Sequence, residues 1–475
     1  MLEVTSFAGE RVAVLGLGRS GLSAARALAA GGALVHAWDD SEAQRTAAAA
    51  DKIPLTDLYS SPWEDFAALV LSPGIPLHHP TPHPLVIAAR NANCDVIGDI
   101  ELFAREKPIG KIAAITGTNG KSTTTVLTGH LLEASGVTVA VGGNVGVPIL
   151  DLPKLSGDGA YVIELSSYQI DLAPSLAADI AVLLNLSPDH LDRHGGMPGY
   201  IASKRQLLDR QHLGQTAIVG MDDAESRAVY AGLKQSGRSN TMTVSGAGMS
   251  DADIFVRDGR LHDWMDDSWG STPLADLRTA LYLKGVHNWQ NAAAAYAIAR
   301  CLGCPSTEAT KALLSFPGLE HRMEDLGTVA GIRFVNDSKA TNVDSATRAL
   351  SCYDNILWIA GGRAKEGDLE SLQPYFPRIR HAFLIGEAAQ MLASALEKFV
   401  PTTISGELES ALPEAHTCAL SQGHRDAVIL LSPACASFDQ FSDFEARGNR
   451  FKKLVRALAS LHDDSSGDKP AGGVQ

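Results

Sequence analysis

The chain has 475 residues, 45% of them apolar and 20% charged; this is too long for one core and ordinary for a globular protein, so about three domains are expected and wholesale disorder is excluded. A net charge of −14 repels a polyphosphate backbone at long range and argues against nucleic-acid binding. Six scattered cysteines do not make the dense framework of a small secreted protein and fit a reducing cytoplasm, while the N-terminus lacks an export signal pattern and no apolar run is long enough to span a bilayer.

A short strand over 11–15 leads into the glycine loop Gly16-Leu17-Gly18-Arg19-Ser20-Gly21, and an alanine-rich helix follows and stops at Gly31-Gly32. Strands over 33–38, 69–71 and 95–97 alternate with helical or loop stretches, the pattern of a parallel sheet with crossover helices, so residues 1–98 read as a first domain. The loop has the G-x-G-x-x-G spacing, and Asp39 stands 18 positions after Gly21, near where a ribose-binding acid belongs. Taken alone this is a dinucleotide fingerprint, and a nicotinamide-dependent oxidoreductase is one reading of it. The same geometry holds any diphosphate, or none.

A second strand, over 111–115, runs into Thr116-Gly117-Thr118-Asn119-Gly120-Lys121-Ser122-Thr123 and a helix over 121–135. Small residues let backbone N–H groups wrap phosphate oxygens, Lys121 can reach the outer phosphates, and the Ser122 hydroxyl can hold Mg²⁺. Ile115 stands where the usual phosphate loop has its first glycine. Two nucleotide-type loops imply a nucleotide-linked substrate plus ATP. Strands over 161–165 and 180–185, an antiparallel pattern over 251–267 and a helix over 288–302 complete a second domain, residues 99–318, as a parallel α/β core with a small β insertion. Glu164 ends a strand, where a carboxylate could ligate Mg²⁺. His190 and His194 flank Leu191-Asp192-Arg193, and Lys204, on a helix, reads in isolation as a solvated surface lysine. Cys301 and Cys304 form a lone C-x-x-C without a second pair at zinc spacing, and are read as structural.

The α/β pattern repeats over 319–461, with strands over 332–336, 356–360, 382–385 and 428–431. Residues 462–475, rich in Asp, Ser, Gly and Pro, are expected to be a disordered tail.

Four further strings complete the pattern: Ser72-Pro73-Gly74-Ile75, Gly98-Asp99-Ile100-Glu101-Leu102-Phe103, Asn336-Asp337-Ser338-Lys339-Ala340-Thr341-Asn342, and Ser432-Pro433-Ala434-Cys435-Ala436-Ser437-Phe438-Asp439-Gln440-Phe441. With the phosphate loop they make the chain resemble the Mur ligase family over nearly its whole length. The Asp-Asn-Pro-Arg motif of the diaminopimelate- or lysine-adding relatives is not found. The resemblance implies an α/β protein of three domains: a Rossmann-like N-terminal domain, a central P-loop-type ATPase domain with a mainly parallel sheet, and a Rossmann-like C-terminal domain. It implies an ATP-dependent amide ligase that adds D-glutamate to UDP-N-acetylmuramoyl-L-alanine for peptidoglycan precursors, as a cytoplasmic monomer with no membrane or nucleic-acid partner.

On the same resemblance, Arg19, Ser20, Asp39, Asp40 and Gly74 line the uridine diphosphate pocket, and residues 117–123 hold the ATP phosphates, with Lys121 among them. Ser122 and Glu164 fall on magnesium, Asn144 and His190 near the muramoyl substrate or a second ion, and Lys204 matches a lysine whose carbamate helps bind that second Mg²⁺. Making a carbamate requires a neutral amine, hence a depressed pKa. Asn288, Asn291, Arg322 and Asp337 are implied to contact ATP, Lys339 belongs to the same motif, and Thr341, Lys365, Ser437 and Phe444 to hold D-glutamate. In one departure, Gly361-Gly362 is followed by Arg363-Ala364-Lys365 where some members carry an acid. A nucleotide-binding regulator without ligase chemistry would have no need of Glu164, His190 and Lys204 beside Lys121.

Overall fold

A computed structural model of the chain describes residues 1–264, 272–364, 369–421 and 426–466. It divides into two compact units, one of residues 1–280 with 286–316, the other of residues 281–285 with 317 onward.

The first unit opens with a four-stranded sheet of β1 (Arg11–Leu15), β2 (Leu34–Trp38), β3 (Ala68–Leu71) and β4 (Asp95–Ile97), ordered β2-β1-β3-β4 and parallel throughout. β3, Ala-Leu-Val-Leu, is buried along its whole length, as an unbroken apolar run demands when helices cover both faces of a parallel sheet. β2 alternates exposed and buried positions, which suits its place at the edge.

The second sheet of this unit has nine strands: β5 (Lys111–Thr116), β6 (Val139–Gly143), β7 (Ala160–Glu164), β8 (Ile180–Leu183), β9 (Thr216–Gly220), β10 (Asn240–Ser245), β11 (Ile254–Arg257), β12 (Arg260–Asp263) and β13 (Ala275–Asp276), ordered β13-β12-β11-β10-β9-β8-β5-β7-β6. β5 lies between β8 and β7, so the loop after it emerges inside the carboxyl edge of the sheet, where α/β folds bind ligands. The antiparallel pattern expected over 251–267 narrows to the hairpin β11–β12, turned by Asp258 and Gly259, both at positive φ, as a two-residue Asp-Gly turn requires. β11 itself joins β10 in parallel; residues 265–267 lie outside the described residues. β6, β9 and β10 had no strand expectation, because each is short and two of them end in glycine.

The second unit carries β14 (Glu324–Val329), β15 (Ile332–Asn336), β16 (Ile356–Gly361), β17 (Ile379–Ile385), β18 (Thr402–Gly406) and β19 (Val428–Leu431) in the order β14-β15-β19-β16-β17-β18. All neighbours are parallel except β14 on β15. A hydrophobic core lies on each face of this sheet, and the buried Trp358 ring donates its Nε1–H to Ser432 O at 2.8 Å. The last helix, Phe444–Ser466, continues into the stretch expected to be disordered, because adding residues to a nucleated helix costs little; the remainder of that tail lies outside the described residues. Among the described residues no helix is long and apolar enough to cross a membrane.

Candidate active site

The first cavity, about 540 Å³, opens at the carboxyl end of β1 and is lined by Arg19, Ser20, Asp39, Asp40 and Gly74, with Ser72 of the Ser72-Pro73-Gly74-Ile75 string and with Gln44 and His83, which the sequence did not single out. Gly21 must be glycine because a Cβ there would fall on the Gly16 carbonyl. Asp39 uses both oxygens on the backbone, accepting from Leu17 N at 2.7 Å and Ser41 N at 2.8 Å. It therefore shapes the glycine loop as well as lining the pocket. Asp40 accepts from Tyr59 Oη at 3.1 Å and Trp38 Nε1 at 3.3 Å, and lies 2.9 Å from His83 Nε2. Burial pushes its carboxyl up, but these hydrogen bonds outweigh burial and hold it below the ordinary value. The Arg19 guanidinium donates to Gly146 O.

The phosphate loop follows β5 directly. Ile115, where a glycine was missing, is a fully buried residue of β5 in register with Glu164 of β7 and Val182 of β8, so in this chain the loop begins two residues later, at Gly117. Gly117 and Gly120 sit at φ of 151° and 82°, and a Cβ on Gly120 would strike the Asn291 carboxamide. Backbone can thus approach an anion closely at the N-terminus of the helix Lys121–Ala134. Lys121 Nζ donates to Gly117 O at 3.0 Å and Thr118 O at 2.8 Å. Asn291 is buried on the helix Val286–Cys301; its Nδ2 donates to Asn288 Oδ1 at 3.2 Å, and its Oδ1 accepts from Thr124 Oγ1 at 3.4 Å.

Behind the loop, Glu164 at the end of β7 is buried, accepts from the Ser122 hydroxyl, and accepts from Asn144 Nδ2 at 2.7 Å. Lys204 is not the solvated lysine that its sequence setting suggests. It lies on the helix Met197–Asp209 and is only 2% exposed; its Nζ donates to Gly117 O at 2.9 Å and Thr116 Oγ1 at 3.4 Å. Burial, and then the charge of Lys121, drive its pKa well below that of an ordinary lysine. The amine is thereby held toward its neutral form.

His190 caps the one-turn helix Leu191–His194 with a left-handed φ of 53°, near Asp189 at 3.6 Å and Tyr168 at 5.4 Å between ring centroids. His194 is buried instead, 2.9 Å from Ser167 Oγ and stacked on Tyr168, with its pKa lowered to about 4 by burial and by Lys204. Lys121, Asn144, His190 and Lys204 line one cavity of about 280 Å³, along with Ser166, Ser167, Tyr168, Asp189 and Tyr200, which sequence reasoning had not picked out. Gly74 and Pro73 line both cavities.

Among the described residues no three His, Cys, Asp or Glu side chains converge as a metal-ligand cluster. Ser122 and Glu164 nevertheless present a hydroxyl and a carboxylate in contact, hard oxygen donors that suit Mg²⁺, an ion that takes few protein ligands and fills its shell with water and phosphate oxygens. The donor set fits magnesium. Lys204 offers an oxygen ligand only after its amine is converted to a carbamate.

In the second unit Asp337 follows β15 and is buried, its Oδ2 accepting from Ser432 Oγ at 2.9 Å and its Oδ1 from Met323 N at 3.2 Å. Burial pushes its carboxyl up to about 7, and the nearby Arg322 and Arg447 offset this only in part. Lys339 Nζ sits 3.8 Å from the centroid of the Phe444 ring, a cation–π contact. Arg447, not anticipated from sequence, ties three strings together: it donates to Ser338 O at 2.9 Å, Cys435 O at 3.2 Å and Gly361 O at 3.4 Å. Thr341 lies in the first of these strings, its N–H donating to Lys339 O, and Ser437, at 2% exposure, in the second. Arg363 pairs with Glu387 at 3.1 Å, and Lys365 lies outside the described residues.

Family models match the chain in three consecutive stretches: the Mur ligase MurD-like N-terminal domain over residues 10–98, the Mur ligase middle domain over 115–299, and the Mur ligase glutamate ligase domain over 321–435. The chain is 49% identical over 472 residues to the UDP-N-acetylmuramoylalanine--D-glutamate ligase of Phenylobacterium zucineum (strain HLK1), covering 98% of this chain and 100% of the relative. It is 50% identical over 468 residues to the enzyme of that name from Caulobacter vibrioides (strain NA1000 / CB15N), covering 97% and 98%. Among solved structures, the UDP-N-acetylmuramate-alanine ligase of Thermotoga maritima shares the fold at a TM-score of 0.59 and 15% identity, over 94% of this chain and 99% of that one.

Proposed function

The chain belongs to the Mur ligase family, and from that premise we propose that it is the ATP-dependent ligase that joins D-glutamate to UDP-N-acetylmuramoyl-L-alanine, releasing ADP and phosphate, in peptidoglycan precursor synthesis. One observation carries the geometric case. The 540 Å³ cavity and the 280 Å³ cavity share Pro73 and Gly74, so a nucleotide held in the first can extend its acyl end to the phosphate loop in the second.

In this reading Arg19, Ser20, Asp39, Asp40 and Gly74 line the uridine diphosphate pocket, and Asn144 and His190 lie near the muramoyl substrate. ATP phosphates lie against residues 117–123, with Asn288, Asn291, Arg322 and Asp337 on the rest of the nucleotide. The γ-phosphoryl group passes to the substrate carboxylate, the bond to the ADP oxygen breaks, and the acyl phosphate formed has a good leaving group. Lys121 neutralises charge that spreads over the transferring oxygens. Ser122 and Glu164 would hold one Mg²⁺, and His190 with a carbamate on Lys204 a second; bound there, the ions would supply charge neutralisation between phosphate and carboxylate. The free amine of D-glutamate, held by Thr341, Lys365, Ser437 and Phe444 with Lys339 beside them, attacks the acyl carbon. The tetrahedral intermediate then expels phosphate and loses a proton from nitrogen. A cytoplasmic monomer acting without membrane or nucleic-acid partners goes with this reading, and the six cysteines, all free thiols, suit a reducing compartment.

Phosphate release is the test: purified protein with ATP, Mg²⁺ and UDP-N-acetylmuramoyl-L-alanine, then with D-glutamate, L-glutamate or other amino acids added. D-glutamate should stimulate release strongly and L-glutamate should not. Equal response to both, or none, defeats the assignment.

A further inference from the structure

Asn185 follows β8; it has no assigned place among the substrate-binding residues, yet it holds the crown of the phosphate loop. Its carbonyl accepts from Thr118 N at 2.9 Å. Its side-chain amide then reads both sides of Asn119, Oδ1 accepting from Asn119 N at 2.9 Å and Nδ2 donating to Asn119 O at 3.2 Å. The same Nδ2 donates to Gln290 Oε1 at 3.0 Å, and Gln290 Nε2 donates to Asp222 Oδ2 at 3.0 Å. Asp222 is itself held by Ser245 Oγ at 2.6 Å and Gly246 N at 2.9 Å, so the chain of bonds ends on the backbone after β10.

We propose that Asn185 is a positioning residue for phosphoryl transfer: with Gln290 and Asp222 it locks the Thr118–Asn119 backbone in the anion-binding conformation and ties it to the helix that carries Asn288 and Asn291. Two features favour this over a general packing role. The loop has glycines on either side of Thr118 and Asn119 at left-handed φ, Gly117 and Gly120, so its own torsions do not choose one conformation; an external clamp does. The clamp also uses both polar ends of the carboxamide at once, which neither Asp nor Leu of the same size can reproduce. Gln290 lies on the helix between the two asparagines assigned to ATP, so the clamp spans the phosphate end of the nucleotide site and the helix beside it. Pre-set backbone donors lower the cost of binding and of reaching the transition state, because no reorganisation is left to be done when charge develops.

The inference rests on the phosphate loop binding ATP, and the experiment separates the two. Titrate wild type, Asn185→Ala, Asn185→Asp and Gln290→Ala with ADP, with AMP and with UDP, and measure kcat and KM for all three substrates. Wild type that fails to bind ADP sinks the reading of the loop itself. With wild type binding, Asn185→Ala is expected to weaken ADP about tenfold or more, to leave AMP and UDP within about twofold, to raise KM for ATP and lower kcat, and to leave KM for the other two substrates alone. Asn185→Asp should do no better, since it keeps the acceptor for Asn119 N but loses both donors. Gln290→Ala, farther from the ligand, should give a smaller loss of the same kind, and its effect should shrink in the Asn185→Ala background. Equal weakening of ADP, AMP and UDP would mark a merely structural residue, and unchanged ADP affinity in Asn185→Ala would overturn the proposal; if Asn185→Ala does not fold, the ADP-against-UDP contrast in Gln290→Ala decides.

Discussion

Asp337→Asn isolates the energetic consequence of burying a carboxyl in the second unit. Its pKa of about 7 in the fold compares with 3.8 for the exposed group. A proton is therefore bound more tightly by the folded than by the unfolded chain, so the contribution to stability is fully present below pH 3.8, erodes as pH rises, and is lost once pH passes 7. Three pH units at 1.36 kcal/mol each make the loss roughly 4 kcal/mol, with a slope of about 1.4 kcal/mol per unit across pH 5 to 7. The amide cannot titrate. It still accepts one of the two hydrogen bonds now made by Ser432 Oγ and Met323 N, and mispairing the other costs about 1 kcal/mol at every pH. Urea unfolding of ligand-free protein, followed by fluorescence with the buried Trp358 as reporter beside Ser432, should show the variant slightly weaker at pH 4 and the stronger of the two at pH 8. Parallel stability curves for the two proteins over that range would refute the reasoning, whatever their offset.

Lys204→Ala should lose at least about 100-fold in kcat, the scale of a removed transition-state contact, and formate or acetate should restore part of it; rescue by methylamine but not by a carboxylate would show that the amine itself is what acts. Gly120→Ala forces a left-handed φ that costs about 1–2 kcal/mol and pushes a Cβ into Asn291, so ATP-dependent turnover should drop at least tenfold while UDP binding by calorimetry stays put. Asp40→Ala removes the acceptor shared by Tyr59 and Trp38 and the partner of His83; KM for the uridine substrate should rise about tenfold, one hydrogen bond to a charged group, with KM for ATP unmoved. A rise in both would show that the carboxylate props up the whole unit instead of its own pocket.

The amino-acid order by itself determined the elements whose chemistry is local. Gly117, Gly120, Lys121 and Ser122 announce a phosphate loop because a strand, a glycine-bearing turn and a helix N-terminus are all near neighbours in the chain, and the apolar runs of β1, β5 and β8 announce a parallel sheet because burial on both faces leaves no other pattern. The four shared strings carried the family and the fold. Tertiary structure alone decided what depends on partners far away in sequence. Lys204 looks like any helical lysine until the folded unit buries it against the Gly117 carbonyl 87 positions back and next to Lys121. His190 and His194 are equivalent in sequence, yet the first lines the 280 Å³ cavity while one turn of helix points the other into Tyr168 and Ser167. Asn185, Gln290 and Arg447 had no signal at all, since an amide or guanidinium becomes informative only when the backbone groups it must satisfy come from other segments. Periodicity reports which side of an element is buried; desolvation, charge proximity and hydrogen-bond satisfaction are sums over neighbours that only the folded chain assembles.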